Sequence, residues 1–443
     1  MEQVVAAGTQ FMREVNAAAV LRRLRAETSM SVSALARAVG LSRQAVTRSL
    51  NALAAEGLVE FGPLDRESTR AGRPAQLVRF RAEAGHVLGL SISPQDVRVA
   101  VSDLAGTVTA ADATPLGPDQ SGDRVVETLL STVERTLRST GVTTAGLWFA
   151  SVGTPGIVDP AAGVIKLIPS MPGLAGDVLV RRLKEALGCP VYLDNDVKLA
   201  TQGERWRERR AWSGERQPAS PAEPRASATI EHARREDSLV MLHWGERVGA
   251  GIVLNGELYR GASNDAGDVG FLDLFCDVTG SSPAASGHPH GLGPFEDRVG
   301  GAEIVRQAAA AAERAGDGEF LARIAGEGAL EAVLDAVVEG RPAALEALDV
   351  VARRFAKGIA VIRAILNPRL VVIGGPLARC GETLLAALRR HLAGEPLDQP
   401  ALEVSTLQDD AVVHGALLHS LDEIERTRFG LVRSGRHEGG TPR

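Results

Sequence analysis

The spacing of apolar residues changes once along the chain. Over residues 1–81, apolar positions recur at helical intervals, as in the segment 16–27. Beyond that point, short apolar runs alternate with amphipathic helical stretches, a pattern typical of strands and helices in turn. The change predicts a small, mainly helical domain, residues 1–81, followed by a larger α/β domain, residues 82–427.

Within the first domain, the segment 31–61 has the spacing of a helix-turn-helix. Ala36 is small enough to let two helices approach, Gly40 supplies a turn that needs a positive φ, and Val46 packs into the angle between the helices. Ser42 is a good N-cap for the second helix. The segment therefore predicts two helices joined by a tight turn.

The second of these helices has a polar face turned away from Leu50 and Leu53. Arginine, amide and hydroxyl side chains reach base edges and phosphates in DNA grooves. The predicted DNA-contacting residues of this helix and its cap are Ser42, Arg43, Gln44, Thr47, Arg48 and Asn51. The alternative is an ordinary three-helix bundle with a solvated, arginine-rich face.

Two short strands, "LVEF" at 58–61 and "LVRF" at 77–80, predict an antiparallel pair with a wing between them. Arg70 and Arg73 on the wing suit a narrow, electronegative minor groove. Residues 1–81 hold twelve arginines and no lysine against seven acidic residues, a net charge of +5, and the remainder carries −11. Spacing, cap, wing and charge together predict a winged helix-turn-helix that binds a double-stranded DNA operator.

Three segments of the α/β region carry distinct local signals. "SLVMLHW" and "GAGIVLNGELY" predict a hairpin with Asn255-Gly256 as a type I′ turn. Steps of three and four between Leu345 and Leu366 predict one long helix with a buried face. The stretch 207–238 is rich in Pro, Ala and charge without an apolar period, so we expect a disordered insertion, and we expect the tail 428–443 to be disordered as well.

Composition excludes several classes of protein. Apolar residues make up 44% and charged residues 23% of the chain, ordinary values for a globular protein. No apolar run approaches the roughly 18 residues that span a bilayer, and the N-terminus lacks the basic start and apolar core of a signal peptide. Cys189, Cys276 and Cys380 are scattered and odd in number. We expect a cytoplasmic protein without disulfides and without a membrane partner.

Several motifs, in order along the chain, carry a resemblance to one family. They are "GRP" at 72–74, "GTPGIVD" at 153–159, "LDNDVKLATQGE" at 193–204, "WGERVGAGIVLNGELYRGA" at 244–262, "AGDVGF" at 266–271 and "VVIGGPLA" at 371–378. Together they resemble the ROK family (repressors, open reading frames, kinases), in its repressor branch. The resemblance implies a winged helix-turn-helix followed by a two-lobed actin/hexokinase-like domain. In the kinases of that family, a sugar lies between the lobes with ATP beside it.

The resemblance also implies that Asp196 holds the position of the kinase general base, but the first nucleotide motif departs from the family. Ser91 stands where a kinase has an aspartate that serves magnesium, and Ser93-Pro94 replaces two glycines. A serine cannot replace a carboxylate near Mg²⁺, and a proline removes an N–H donor. We therefore expect Asp196 to be a vestigial base.

The second phosphate loop departs as well. Gly245 and Gly249 are kept, but Glu246 and Arg247 lie between them, where a carboxylate repels phosphate and a long side chain fills the cradle. Phosphoryl transfer depends on positioning plus metal and phosphate clamps, so we expect no kinase activity. The vestigial nucleotide loops are represented by Gly245, Gly249, Gly374 and Gly375.

The resemblance places sugar-binding side chains in the cleft between the lobes. The implied effector-binding set is Asn195, Asp196, Asp268, Phe271 and Glu296. Asp268 replaces a glutamate and Phe271 replaces a histidine, and both changes weaken hydrogen bonding to a sugar. Two alternatives stay open. Asn195 and Asp196 are also good caps for the next helix, and Phe271 also suits a core position beside Leu272 and Leu274.

The zinc site of the family is missing from the pattern. Phe271 stands in the position of a histidine ligand, and "SGHPHGLGPFEDR" contains no cysteine. Cys276 with His288 and His290 offers three ligands where zinc prefers four, and loop histidines beside Pro and Gly are more often solvated. We expect no zinc, no other metal and no cofactor.

These expectations describe a transcriptional regulator, a repressor of carbohydrate-related genes. Its body would be non-catalytic, would form a homodimer or homotetramer, and would bind a small sugar or sugar phosphate as effector. Two alternatives remain. One is an ATP-dependent sugar kinase with a DNA-binding head, and the other is a ligand-blind regulator whose body serves only as a dimerisation platform.

Overall fold

The computed structural model describes residues 2–27, 29–65, 75–117, 120–214, 238–275, 293–394 and 397–428. The first elements form the N-terminal head. They are α1 (Glu2–Glu27), β1 (Ser29–Ser31), α2 (Val32–Val39), α3 (Arg43–Ala55), β2 (Val59–Asp65) and β3 (Ala75–Phe80). The strands pair in the order β1-β3-β2, with β3 antiparallel to both neighbours. The predicted β2–β3 pair is confirmed, and β1 is an addition that the apolar pattern did not reveal.

The helix-turn-helix forms as its spacing predicts. Gly40 ends α2 with φ of 68°, in the left-handed region where glycine has no steric penalty. Ala36 and Val46 are buried between α2 and α3. The hydroxyl of Ser42 accepts a hydrogen bond from the N–H of Ala45 at 3.2 Å, and Ser31 caps α2 in the same way.

The first lobe of the body is an α/β layer built on a five-stranded sheet. Its elements are β4 (His86–Ile92), β5 (Asp96–Asp103), β6 (Val108–Pro115), α4 (Gly122–Thr140), β7 (Leu147–Thr154), β8 (Ile157–Asp159), β9 (Val164–Leu167), α5 (Val178–Leu187) and β10 (Val191–Asn195). The sheet order is β10-β7-β4-β5-β6, and β8 and β9 form a separate antiparallel pair. β4, β7 and β10 run parallel, so β7 and β10 both direct their carboxyl ends to the cleft residues that follow them.

The second lobe contains another five-stranded sheet, ordered β13-β12-β11-β14-β15. Its elements and the helices around them are α6 (Asp196–Gly214), β11 (Leu239–Trp244), β12 (Val248–Leu254), β13 (Glu257–Tyr259), α7 (Pro294–Val299), α8 (Gly301–Ala315), α9 (Gly318–Arg323), α10 (Ala329–Val338), α11 (Pro342–Leu366), β14 (Leu370–Gly374), α12 (Gly381–Leu392), β15 (Ala401–Val404) and α13 (Ala411–Arg428). The long helix expected up to Leu366 is confirmed as α11. Among the described helices, none combines the length and the apolar character needed to cross a membrane.

Two local predictions need correction. Helix α6 continues to Gly214, so the start of the stretch 207–238 is helical rather than irregular, and residues 215–237 lie outside the described part of the chain. Asn255 and Gly256 have φ of 53° and 75°, as a type I′ turn requires, but the turn joins β12 to β13. The β11–β12 connection is instead the loop that begins at Gly245.

Helices α6 and α13 connect the two lobes. α13 packs on β4 and β7 of the first lobe, α6 packs on β11 and β12 of the second, and the two helices pack on each other. Gly415 makes this close contact possible, because a Cβ at that position would collide with the carbonyl of Leu199. The cleft residues at the start of α6 therefore lie on the element that joins the lobes.

Candidate nucleic-acid interface and ligand cleft

The polar face of α3 is exposed in the head. Val46, Leu50 and Leu53 anchor the opposite face in the core. The residues predicted to contact DNA, namely Ser42, Arg43, Gln44, Thr47, Arg48 and Asn51, are all exposed. The hydroxyl of Thr47 donates to the carbonyl of Arg43 at 2.9 Å, which leaves its methyl group and oxygen at the surface. Arg70 and Arg73 of the predicted wing lie outside the described residues, so their role stays a prediction.

The start of α6 carries the first two residues of the predicted effector site. The side-chain oxygen of Asn195 accepts the N–H of Lys198 at 3.2 Å, and its amide donates to the carbonyl of Gly156 at 3.1 Å. Asn195 is therefore the N-cap of α6, as one alternative from the sequence had it. It also ties the helix to the turn after β7.

Asp196 lies in the cleft beside His243, a residue that the sequence reasoning missed. One carboxylate oxygen of Asp196 accepts the N–H of Val197 at 2.8 Å. Burial raises the pKa of Asp196, and the nearby imidazole of His243 opposes that shift. Burial lowers the pKa of His243, against the attraction of Asp196 and Asp409. The result is a carboxyl–imidazole pair at the position that the resemblance gives to a catalytic base.

The two glycine loops that would hold phosphate are packed against each other. A Cβ at Gly245 would lie 2.8 Å from Cδ of Pro376, and a Cβ at Gly375 would lie 3.0 Å from Cε1 of His243. The N–H of Gly245 donates to the carbonyl of Arg247 at 3.1 Å. The N–H of Gly245 is thus used inside its own loop, next to a proline and an imidazole ring.

The first nucleotide motif, between β4 and β5, is closed by a serine side chain. The hydroxyl oxygen of Ser93 accepts the N–H of Gln95 at 3.2 Å and that of Asp96 at 3.0 Å, and it donates to the Asp96 carboxylate at 2.9 Å. Ser91, where kinases of the family carry an aspartate, is buried in β4. The backbone donors of this turn are therefore satisfied by the turn itself.

Arg247 pairs with Glu296, which joins the altered phosphate loop to the predicted effector site. The guanidinium lies 3.0 Å from one carboxylate oxygen of Glu296, while the other oxygen accepts the N–H of Val248 at 2.7 Å. The side chain of Glu296 is 5% exposed and that of Arg247 is 41% exposed. Glu296 thus has protein partners for both of its oxygens.

Asp268 and Phe271 lie on the loop that follows β13. Burial raises the pKa of Asp268, and Asp265 and Glu296 add to the shift while Lys198 opposes it. Phe271 is 60% exposed, so the alternative of a core position for this ring is wrong. Leu272 and Leu274, in contrast, contact the core of the second lobe.

An arginine-centred network connects the lobes across the cleft. Arg260, after β13, lies 2.7 Å from the buried carboxylate of Asp194 and donates to the hydroxyl of Tyr192 at 2.9 Å. Although burial disfavours the charged form, the hydrogen bonds and the charge of Asp194 raise the pKa of Arg260. Asn264, on the same loop, donates to the carbonyl of Val158 in the first lobe at 3.2 Å. Neither Arg260 nor Asn264 was singled out from the sequence.

Lys198 is a further residue that the sequence reasoning overlooked. It follows the Asn-Asp pair on α6, it is buried, and its ammonium group bonds the carbonyl of Asn264. Burial lowers the pKa of Lys198, while Asp194 and Asp268 oppose that shift. The sequence did offer one signal for Lys198. It lies in the motif around Asp196, in the first turn of a helix that faces acids.

Comparison with known proteins identifies the two parts of this architecture. The model of the ROK family matches residues 87–213 and 225–422, and the model of the MarR family matches residues 14–71. The chain belongs to the ROK family. Its N-terminal MarR-type winged helix and its actin/hexokinase-like α/β body confirm the predicted fold class.

Relatives across the ROK family match most of the chain. The xylose repressor of Caldicellulosiruptor bescii is 23% identical over 424 residues, which cover 92% of this chain and 95% of the relative. The DNA-binding transcriptional dual regulator NagC of Escherichia coli (strain K12) is 23% identical over 381 residues, 85% of this chain and 84% of NagC. A crystal structure of a ROK family transcriptional regulator, a homolog of the E. coli MLC protein, covers 93% of this chain and 100% of its own with a TM-score of 0.65 at 20% identity.

The ROK body brings two of the residues predicted for its cleft, Asp268 and Glu296, near each other. Asp196 lies beside His243, and Asp268 and Glu296 influence each other electrostatically. Within the described ranges, no group of three or more His, Cys, Asp or Glu residues is arranged to hold a metal ion. Cys276, His288 and His290 lie outside those ranges, so the absence of zinc stays a prediction.

Proposed function

We propose that this ROK protein is a DNA-binding transcriptional repressor of sugar-related genes whose body has no kinase activity. The observation that carries the proposal is the exposed polar face of α3 on a MarR-type winged helix. Relatives of similar length named as a xylose repressor and as the regulator NagC support it. Operator DNA and a sugar effector are the partners that this family membership suggests.

The residues proposed to contact DNA fall into groups according to the chemistry of their side chains. Arg43 and Arg48 suit guanine edges or phosphates, and Gln44 and Asn51 suit adenine edges. Ser42 and Thr47 suit phosphate oxygens at the helix N-terminus. Arg70 and Arg73 are proposed to enter the minor groove beside the site that α3 occupies.

The reading head is tested on an operator selected by the full-length protein from a random duplex pool. We expect Arg48→Ala and Asn51→Ala each to weaken specific binding by about 1–3 kcal/mol at fixed salt, because each removes contacts to base edges. Arg138→Ala is the matched control, since Arg138 pairs with Glu134 on the exposed surface of α4, outside the head. Unchanged affinity in both head variants would reject α3 as the reading helix.

The absence of kinase activity rests on the closed nucleotide loops. His243 and Pro376 occupy the space between the glycine loops, and Ser93 uses the donors of the first turn. We expect no ATP-dependent phosphorylation of glucose, xylose or N-acetylglucosamine, and no thermal shift with ATP and Mg²⁺. Turnover that Asp196→Asn abolishes would support the kinase alternative and refute this part of the proposal.

The proposed effector is a small sugar or sugar phosphate held near Asn195, Asp196 and Asp268. A ligand at 100 times its Kd adds roughly 2.7 kcal/mol of stability, which a thermal-shift screen of sugars and sugar phosphates detects. We expect a shift with one sugar class and its loss in Asp196→Asn. The pairing of Glu296 with Arg247 favours a second candidate, a ligand-blind body that only assembles the protein, and no shift across the screen would support it.

The proposed assembly is a homodimer or homotetramer, because a helix-turn-helix protein reads two half-sites through a two-fold axis. Light scattering after size exclusion of the full-length protein measures this directly. A monomer at micromolar concentration that still binds one half-site would reject the assembly but keep the reading head.

A further inference from the structure

The head and the body share one hydrophobic core. Leu24 and Leu58 of the head belong to the same buried cluster as Leu104, Leu421 and Ile424 of the body. The body residues come from the loop after β5 and from α13, the helix that packs on α6. The boundary at residues 81 and 82 therefore separates two folds without separating their cores.

The connection between head and body is hydrogen-bonded on both sides. The N–H of Arg81 donates to the carbonyl of Leu58 in the head at 2.9 Å, and the N–H of Leu104 in the body donates to the carbonyl of Ala82 at 3.0 Å. Three residues later, Gly85 lies against the indole of Trp148, where a Cβ would collide with the ring. A junction with these contacts holds the head against the body, so the head does not move independently as it would on a flexible linker.

One of the ion pairs across this interface joins α1 to α13. Arg25, in the last turn of α1, bonds the carboxylate of Glu425 near the end of α13. The side chains of Arg25 and Glu425 are 18% and 31% exposed, and the guanidinium lies 5.9 Å from the centre of the Phe80 ring. Burial lowers the pKa of Arg25, and the charges of Asp422 and Asp103 oppose that shift. The guanidinium is therefore held among acids that all belong to the body.

Apolar contacts and an ion pair act differently at such an interface. Apolar burial is non-directional and tolerates sliding, whereas a partly buried guanidinium–carboxylate pair is most favourable in a narrow geometry. Removing one partner leaves the other partly buried without its counter-charge, while removing both is often tolerated. The Arg25–Glu425 pair is thus suited to select one orientation of the head among several that the shared core would allow.

We propose that Arg25 is a positioning residue for operator binding, fixing the winged helix in one orientation on the ROK body through Glu425. The inference rests on the proposed function, since it concerns how two heads of an assembled protein meet two half-sites. With each head fixed, the body sets the distance between the two α3 helices, and the protein accepts a narrow range of half-site spacings.

The test uses the full-length protein and duplexes that carry its selected half-site as an inverted repeat, with spacers varied across one helical turn. The variants are Arg25→Met, the double variant Arg25→Met with Glu425→Met, and the conservative Arg25→Lys, with Arg138→Met as the surface control. Thermal melts establish that each is folded. We expect the ratio of best to worst spacing affinity to fall at least about fivefold in the Met variants. Affinity for one isolated half-site should stay within about twofold.

The outcomes separate the inference from the function on which it rests. Restored spacing selectivity in Arg25→Lys, with loss in the folded double variant, supports the positioning role. A wild-type spacing profile in the double variant overturns it while operator binding stands. Equal loss of half-site and paired-site affinity also overturns it, since that is the result of a merely structural role. If the wild-type protein enriches no DNA from the pool, the proposed function itself fails.

Discussion

Replacing Arg247 by methionine is the perturbation that most directly tests the structure of the cleft. The substitution keeps an unbranched side chain of similar length in the loop after β11 and removes the partner of the Glu296 carboxylate. Glu296 keeps two backbone donors, the N–H of Val248 at 2.7 Å and that of Gly293 at 3.4 Å. With these two donors, the Glu296 carboxylate keeps its position in the variant, but it loses its counter-charge.

The magnitude follows from the exposure of the two partners. Breaking a fully buried pair by removing one side costs about 3–5 kcal/mol. The side chain of Arg247 is 41% exposed, so water screens the interaction, and we reduce the expected cost to about 1–2 kcal/mol. In a cooperative unit of this size, that corresponds to a decrease in Tm of about 2–8 °C.

The assay is thermal unfolding of Arg247→Met, Glu296→Gln and the double variant, with Glu246→Ala as the control. Glu246 is the exposed neighbour in the same loop, and its truncation should change stability by less than about 0.5 kcal/mol. The double variant should lose less than the sum of the two single variants, because both remove the same pair. A Tm for Arg247→Met equal to that of Glu246→Ala would refute the pairing and reopen Glu296 as an unoccupied sugar ligand.

Two further predictions concern the contacts of α13. Burial lowers the pKa of His419 from 6.5 to about 4, so the folded state binds fewer protons than the unfolded state between these values. Stability should therefore fall as pH decreases through this window, by up to about 1.4 kcal/mol per pH unit, and melts of His419→Asn from pH 7 to 4.5 should show a shallower decline. Gly415→Ala should separate α13 from α6 and abolish soluble expression. Ala416→Gly, next to it on the same helix, should cost only about 2 kcal/mol, from helix propensity and the loss of a buried methyl group.

The head was predictable from the sequence to the level of single residues. The Ala36, Gly40 and Val46 spacing, the Ser42 cap and the paired strands all appear where they were expected. The cap and the turn depend on interactions within a few residues, and the buried helix faces depend on a helix period that the chain carries in full. The strand pair joins segments farther apart, Val59 with Phe80, that one connection brings together. β1 was missed because a strand of three residues has no period of its own and exists only through pairing with β3.

The cleft was predictable only in part. The motif around Asp196 and the altered glycine loops indicated where the cleft lies, and the family match confirms the fold around it. His243, Lys198 and Arg260 were missed because each is ordinary in its local context. Their shifted pKa values come from burial beside acids that other segments of the chain bring to the same place. A core position was an alternative for Phe271, because an aromatic residue followed by leucines cannot be distinguished locally from a core residue.

By itself, the sequence determined the local chemistry of this protein: a capped helix-turn-helix with a polar reading face, an α/β alternation, a type I′ turn at Asn255-Gly256, and nucleotide loops with the wrong side chains in them. Only the tertiary structure decided which distant charges meet. Arg247 with Glu296, Arg260 with Asp194 and Arg25 with Glu425 pair across loops, lobes and domains. The physical reason is the distance along the chain over which each kind of interaction acts. Caps, turns and helix faces are set by neighbours along the chain, whereas a buried ion pair forms only after the apolar cores have placed its two halves together.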